Sequence, residues 1–194
     1  MDKQENGMGR VQEDLGKIGN AMLQRDREYC LAVLVLDRSS SMTIHGRVPL
    51  DAVNTEIRKL KGMPGAENTV LMVYAFAGGA PLLVVSPTRL SQAQPLAPYG
   101  AEVGTRLNGS VGDALRTAMR FQDYADEVYG AKVHVSMSVI SDGGDGRSTF
   151  QEIQEEFRLA AKARKSGSDL QVIGIGIEGS DLARILNFCP QHAH

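Results

Sequence analysis

The chain has 194 residues, 42% of them hydrophobic, and a formal net charge of -2; this length supports one sizeable core, and a single compact unit is expected. No run of Lys or Arg stands apart, which argues against a nucleic-acid or polyanion partner. The N-terminus lacks the apolar centre of a signal peptide, and no apolar run reaches the ~20 residues that span a bilayer, so a cytoplasmic protein with no membrane partner is expected.

Residues 1–28 read as an N-terminal extension in which Val11, Leu15, Ile18 and Met22 recur at helical intervals, predicting a short amphipathic helix over 11–23. The stretch YCLAVLVLD, Tyr29 to Asp37, is almost continuously apolar, as a central strand buried on both faces of a parallel sheet would be. Its only charge stands at its C-terminal end. Cys30 in this strand and Cys189 are the only cysteines; they are expected to be reduced and without function.

Leu50, Val53, Ile57 and Leu60 share one face of a predicted helix over 49–60, with Pro49 in its first turn. The segments TVLMVYAFA and PLLVVSP, separated by Gly78 and Gly79, predict a hairpin and hence one antiparallel edge strand. A polar, proline-containing loop leads to a long helix over about 106–128, then a strand over 133–141 that ends in DGGDG. A helix over 149–165, a strand over 169–177 and a short helix over 180–188 complete the reading, and 189–194 is a tail.

Strands alternating with helices predict an α/β fold: an open, doubly wound, mostly parallel sheet with one antiparallel edge strand and helices on both faces. Ligands of such sheets bind at the carboxyl ends of the strands. Both polar clusters, after Leu36 and after Ile140, belong to that edge.

Asp37, Ser39 and Ser41 occupy alternate positions and can converge on one point. Their oxygens are the hard donors that Mg²⁺ prefers. The same residues would also suit a turn fixed by Asp37 and a helix capped by Ser41 or Thr43. Two more segments bear on this choice: GTRLNGSVGDAL sets Thr105 just ahead of a helix, and SDGGDG sets Asp142 just past a strand.

With these residues the sequence resembles the von Willebrand factor A (VWA) domain family and its metal-ion-dependent adhesion site. LVLDRSSSM is similar to the family's DxSxS loop, with Asp37, Ser39 and Ser41 in its defining positions. Gly104, Thr105 and Leu107 resemble the second loop, and Ser141, Asp142 and Gly143 the third. The likeness covers residues 29–188; Ser40 stands where the family often has Gly and Ser141 where it often has Thr.

The resemblance implies a Rossmann-like VWA fold and a site for Mg²⁺ or Mn²⁺. Ser39 and Ser41 would bind the ion directly, and Thr105 directly or through water. Asp37 and Asp142 would act through bound waters and by orienting the serines. A protein partner would supply an Asp or Glu to the metal, making the site adhesive and not catalytic. A further likeness, to standalone bacterial members, implies a scaffold in stress-response or assembly systems.

Ser110 competes with Thr105 as the second-loop hydroxyl, but Leu107, Val111 and Leu115 fall on one helical face if GTRL is the loop, which favours Thr105. Asp145 is expected to stabilise a turn and His134 to be a structural strand residue. The run GIGIEG, Gly174 to Gly179, matches a dinucleotide fingerprint, yet too little sequence follows it for the next strand and its acidic residue. An Mg²⁺-dependent phosphatase using Asp37 as nucleophile is the enzymatic alternative. Such enzymes place a second acid two positions later, where this chain has Ser39.

Overall fold

The structure, a computed structural model, describes residues 23–188. The expected helix over 11–23, except Leu23, and the tail with Cys189 lie outside them. Five strands form one sheet in the order β3-β2-β1-β4-β5. They are β1 (Glu28–Asp37), β2 (Thr69–Phe76), β3 (Leu82–Arg89), β4 (Lys132–Ser141) and β5 (Asp169–Gly174). All neighbours are parallel except β2 and β3.

Along β1 the two-residue period of a strand feeds two separate cores. Leu31, Val33 and Val35 face one, and Ala32, Leu34 and Leu36 face the other. Helix α1 (Val48–Gly62) covers the second with Val53 and Ile57. The first is covered by α2 (Leu107–Tyr129), α3 (Phe150–Lys165) and α4 (Gly179–Ile185), which contribute Leu115, Leu159 and Leu182.

This division places the site. From β1 the chain crosses by α1 to β2 on one side, whereas from β4 it crosses by α3 to β5 on the other. Right-handed crossovers in opposite directions require helices on opposite faces. The connections therefore diverge between the C-terminal ends of β1 and β4, leaving a crevice at the topological switch point.

β5 ends at Gly174, earlier than the expected 177, because the chain doubles back there. A Cβ on Gly174 would stand 2.2 Å from the Ile177 carbonyl oxygen, and Gly176 has φ +72°. The glycine-rich run is thus a tight turn before a seven-residue helix. β3 extends through Pro87, which an edge strand tolerates because no outer neighbour needs its missing N–H. Among the described residues no helix is long and apolar enough to cross a membrane.

Candidate functional site

Asp37 terminates β1 with no exposed surface, and both its carboxylate oxygens are engaged. Oδ1 accepts the Ser39 amide at 2.8 Å, folding the chain sharply after the strand. Oδ2 accepts the Ser141 hydroxyl from the end of β4 at 2.7 Å, tying together the two strands that flank the switch point. Burial pushes the Asp37 carboxyl pKa upward; the hydrogen bonds from Ser39 and Ser141 oppose this, and the charge of Asp142 adds to it.

The hydroxyls of Ser39 and Ser41 meet at 2.9 Å. Ser39 is buried and Ser41 is exposed, so the pair runs from the protein interior to solvent. Capping does not account for these residues. The 3-10 helix over Ser40–His45 has Ser39 at its N-cap with no side-chain cap bond, and α1 is preceded by Arg47, also without one. The Thr43 hydroxyl instead donates to the Ser40 carbonyl at 2.6 Å.

The second loop is held beside the first by backbone pairing. The Glu102 amide donates to the Arg38 carbonyl at 3.0 Å and the Arg106 amide to the Ala77 carbonyl at 2.8 Å. Thr105 sits between these anchors, and its own carbonyl accepts the Gly146 amide at 3.1 Å from the third loop. A Cβ on Gly144 would lie 3.5 Å from Asp142 Oδ1 and 3.8 Å from Thr105 Oγ1, so both oxygens flank one point. The structure thus brings the second and third loops together, as it does the first loop and Ser141.

Ser110 lies one turn inside α2 with its hydroxyl buried and unpaired, away from the loop that carries Thr105. Asp145 is occupied elsewhere: Oδ2 accepts the Asn108 amide at 2.9 Å and Oδ1 the Ser148 amide at 3.0 Å. It satisfies an orphan donor at the start of α2, the role expected of a turn aspartate. His134 is exposed and pairs in register with Cys30, toward the end of β4 remote from the site.

Arg106 fastens the loop from below, donating through Nε to Glu152 Oε1 and through Nη1 to Asp113 Oδ2, both at 2.9 Å. The guanidinium holds the Glu152 carboxyl below the usual carboxylate range, while Glu152 also closes a capping box with Thr149. Gly104 needs its glycine: φ is +87°, and a Cβ would meet Gly78 Cα at 3.2 Å and Arg147 Nε at 3.1 Å. Gly104→Ala is therefore expected to cost roughly 1–3 kcal/mol, measured by chemical denaturation, and to displace Thr105. An unchanged denaturation midpoint would refute the strain.

The donor set can be compared with the needs of a divalent ion. Two cis oxygens on octahedral Mg²⁺, each at about 2.1 Å, are separated by about 3.0 Å. The Ser39 and Ser41 hydroxyls, at 2.9 Å, stand close to that separation. Among the described residues no three His, Cys, Asp or Glu side chains group as metal ligands, so softer, nitrogen-rich or thiolate coordination has no counterpart in them.

Tyr99 carries no signal in the sequence. It follows a proline in an irregular loop with no periodicity, yet it stands close enough to the site to feel the charge on Asp37. Burial, with Asp37 adding to it, pushes its phenol up to about 12.

No family model and no curated protein matches the sequence. Solved structures match its fold. The pilus adhesin SpaC from Lactobacillus rhamnosus GG, in its open conformation, superposes with a TM-score of 0.55 at 13% identity, over 84% of this chain and 26% of that one. Manganese-loaded TRAP protein of Plasmodium vivax gives 0.55 at 15% identity, over 85% of this chain and 65% of that one. The N-terminal domain of TFIIH p34 gives 0.51 at 9% identity, over 81% and 86%. The fold is VWA-like. The chain spans less than two thirds of the SpaC and TRAP chains.

Proposed function

We propose that this protein is a metal-dependent adhesion module. Ser39, Ser41 and Thr105 would hold Mg²⁺ or Mn²⁺, with Asp37 and Asp142 orienting them and binding through water. The single observation that carries this reading is the hydroxyl pair at 2.9 Å, seated on a fully buried aspartate at the switch point. Neutral direct ligands leave a bound divalent ion under-neutralised, so it attracts a carboxylate. The Asp or Glu of a protein partner would complete the site on the exposed Ser41 side. Support also comes from two fold neighbours, one an adhesin and one loaded with manganese.

The geometry favours adhesion over phosphoryl transfer. An aspartate nucleophile must present a free oxygen in line with its substrate. Asp37 is fully buried and each oxygen already accepts a hydrogen bond, which leaves lone pairs for a bound water but no line of approach for a phosphoryl group. We extend the reading to a cytoplasmic scaffold of a bacterial stress-response or assembly system, on family likeness alone.

Calorimetric titration with MnCl₂ and MgCl₂ tests the metal. One saturable site is expected, and no saturable heat with either ion would sink the reading. Incubation with a generic phosphate ester tests the enzymatic alternative. No turnover is expected; turnover lost in Asp37→Asn would overturn adhesion as the primary role.

A further inference from the structure

A cavity of about 280 Å³ opens immediately beside the metal loop, and Ser39 forms part of its wall. Its floor is apolar: Met42 and Leu50 are 4% and 7% exposed, and Pro49, Pro98 and Ala101 extend the same surface. Arg38 and Arg47 also line it, paired with Glu102 and Asp51 respectively. The Arg38 guanidinium is anchored on two sides, with Nη1 donating to the Gly100 carbonyl at 3.3 Å and Nη2 paired with Glu102. Its Nε–H is buried and has no partner.

The volume lies just under the range of pockets that enclose drug-sized molecules, which suits one large side chain and not a cofactor. Because Ser39 belongs to both the cavity and the metal loop, one partner segment can reach both.

We infer that this cavity is a second anchor for the protein that engages the metal: it takes one Leu, Met or Phe side chain placed one or two residues from the partner's Asp or Glu. The inference rests on the adhesion reading of the site. It adds what the metal alone lacks, selection among acidic sequences. A lone carboxylate–metal contact is open to any exposed acid, whereas burying a neighbouring apolar side chain rewards only segments that carry one.

The test uses fluorescein-labelled peptides with one central Asp among serines and with Leu, Phe or Ala one or two positions to either side. Binding is read by fluorescence polarisation in Mn²⁺ and again in EDTA. The best Leu or Phe peptide is expected to bind at least about tenfold more tightly than its Ala counterpart, and only in Mn²⁺. Ala101→Phe, at an exposed position on the cavity wall, is expected to erase that preference and leave the Mn²⁺ titration unchanged. Equal EDTA-sensitive binding of Leu, Phe and Ala peptides would overturn the second anchor and leave the metal reading intact. So would a preference that survives Ala101→Phe, or failure of every peptide to bind to protein that does take up Mn²⁺. Absence of an Mn²⁺ isotherm would instead remove the reading beneath it.

Discussion

Changing Ser39 and Ser41 together to alanine is expected to weaken Mn²⁺ binding by at least about 100-fold while leaving the melting temperature nearly unchanged. The two hydroxyls bond to each other, so removing both orphans neither, and Asp37 keeps the Ser39 amide and the Ser141 hydroxyl as donors. Asp37→Ala should behave differently. It strips the buried Ser39 amide and the Ser141 hydroxyl of their acceptors, so a stability loss of about 2–4 kcal/mol should accompany the loss of metal. Calorimetry paired with thermal melts separates the two. A double serine variant that still binds Mn²⁺ normally would place the ion elsewhere.

Stability should fall with rising pH because of Glu156, which α3 buries completely. Oε2 accepts from Asn108 Nδ2 at 3.1 Å, and Oε1 has no partner. The same Asn108 amide donates to the Ile185 carbonyl at the end of α4 at 3.2 Å, so α2, α3 and α4 meet at this carboxyl. Burial pushes its pKa up to about 8, against the opposing Asn108 hydrogen bond and Arg164 charge.

The unfolded chain releases this proton near the ordinary glutamate value of 4.5, whereas the folded protein keeps it to about 8. Between those values the native state binds more protons, so the slope of stability against pH is negative. The contribution is whole below the unfolded pKa, erodes through the window, and is lost above about 8. Glu156→Gln removes the ionisation. Its stability relative to the native protein should rise across the window by on the order of 3–5 kcal/mol, read by urea denaturation at several pH values. A difference that does not vary with pH would show that the carboxyl ionises in the folded state.

Both expectations concern groups that the sequence marks unequally. Asp37, Ser39 and Ser41 stand out because a strand buried on both faces ends in alternating oxygens, a break in pattern that needs no tertiary knowledge. Glu156 does not stand out. It sits in a highly charged helix, within the run EEF, and only packing against Asn108 and Gly112 reveals it as interior. Tyr99 and the cavity beside Arg38 are hidden for the same reason. Irregular loops carry no period, and their side chains acquire neighbours only when distant segments close over them.

Local chemistry by itself determined the alternation of strands and helices, the antiparallel hairpin at Gly78 and Gly79, and the strand-end position of both polar clusters. These follow from short-range periodicity and turn preference, which act over a few residues. Tertiary structure alone decided that β1 and β4 are neighbours, so that Ser141 reaches Asp37 across 104 positions of chain. It also decided that Asp145 serves the start of α2 and that Thr105, not Ser110, shares a point with Asp142. Strand order and loop closure are set by the joint burial of two cores, and no local segment contains that information.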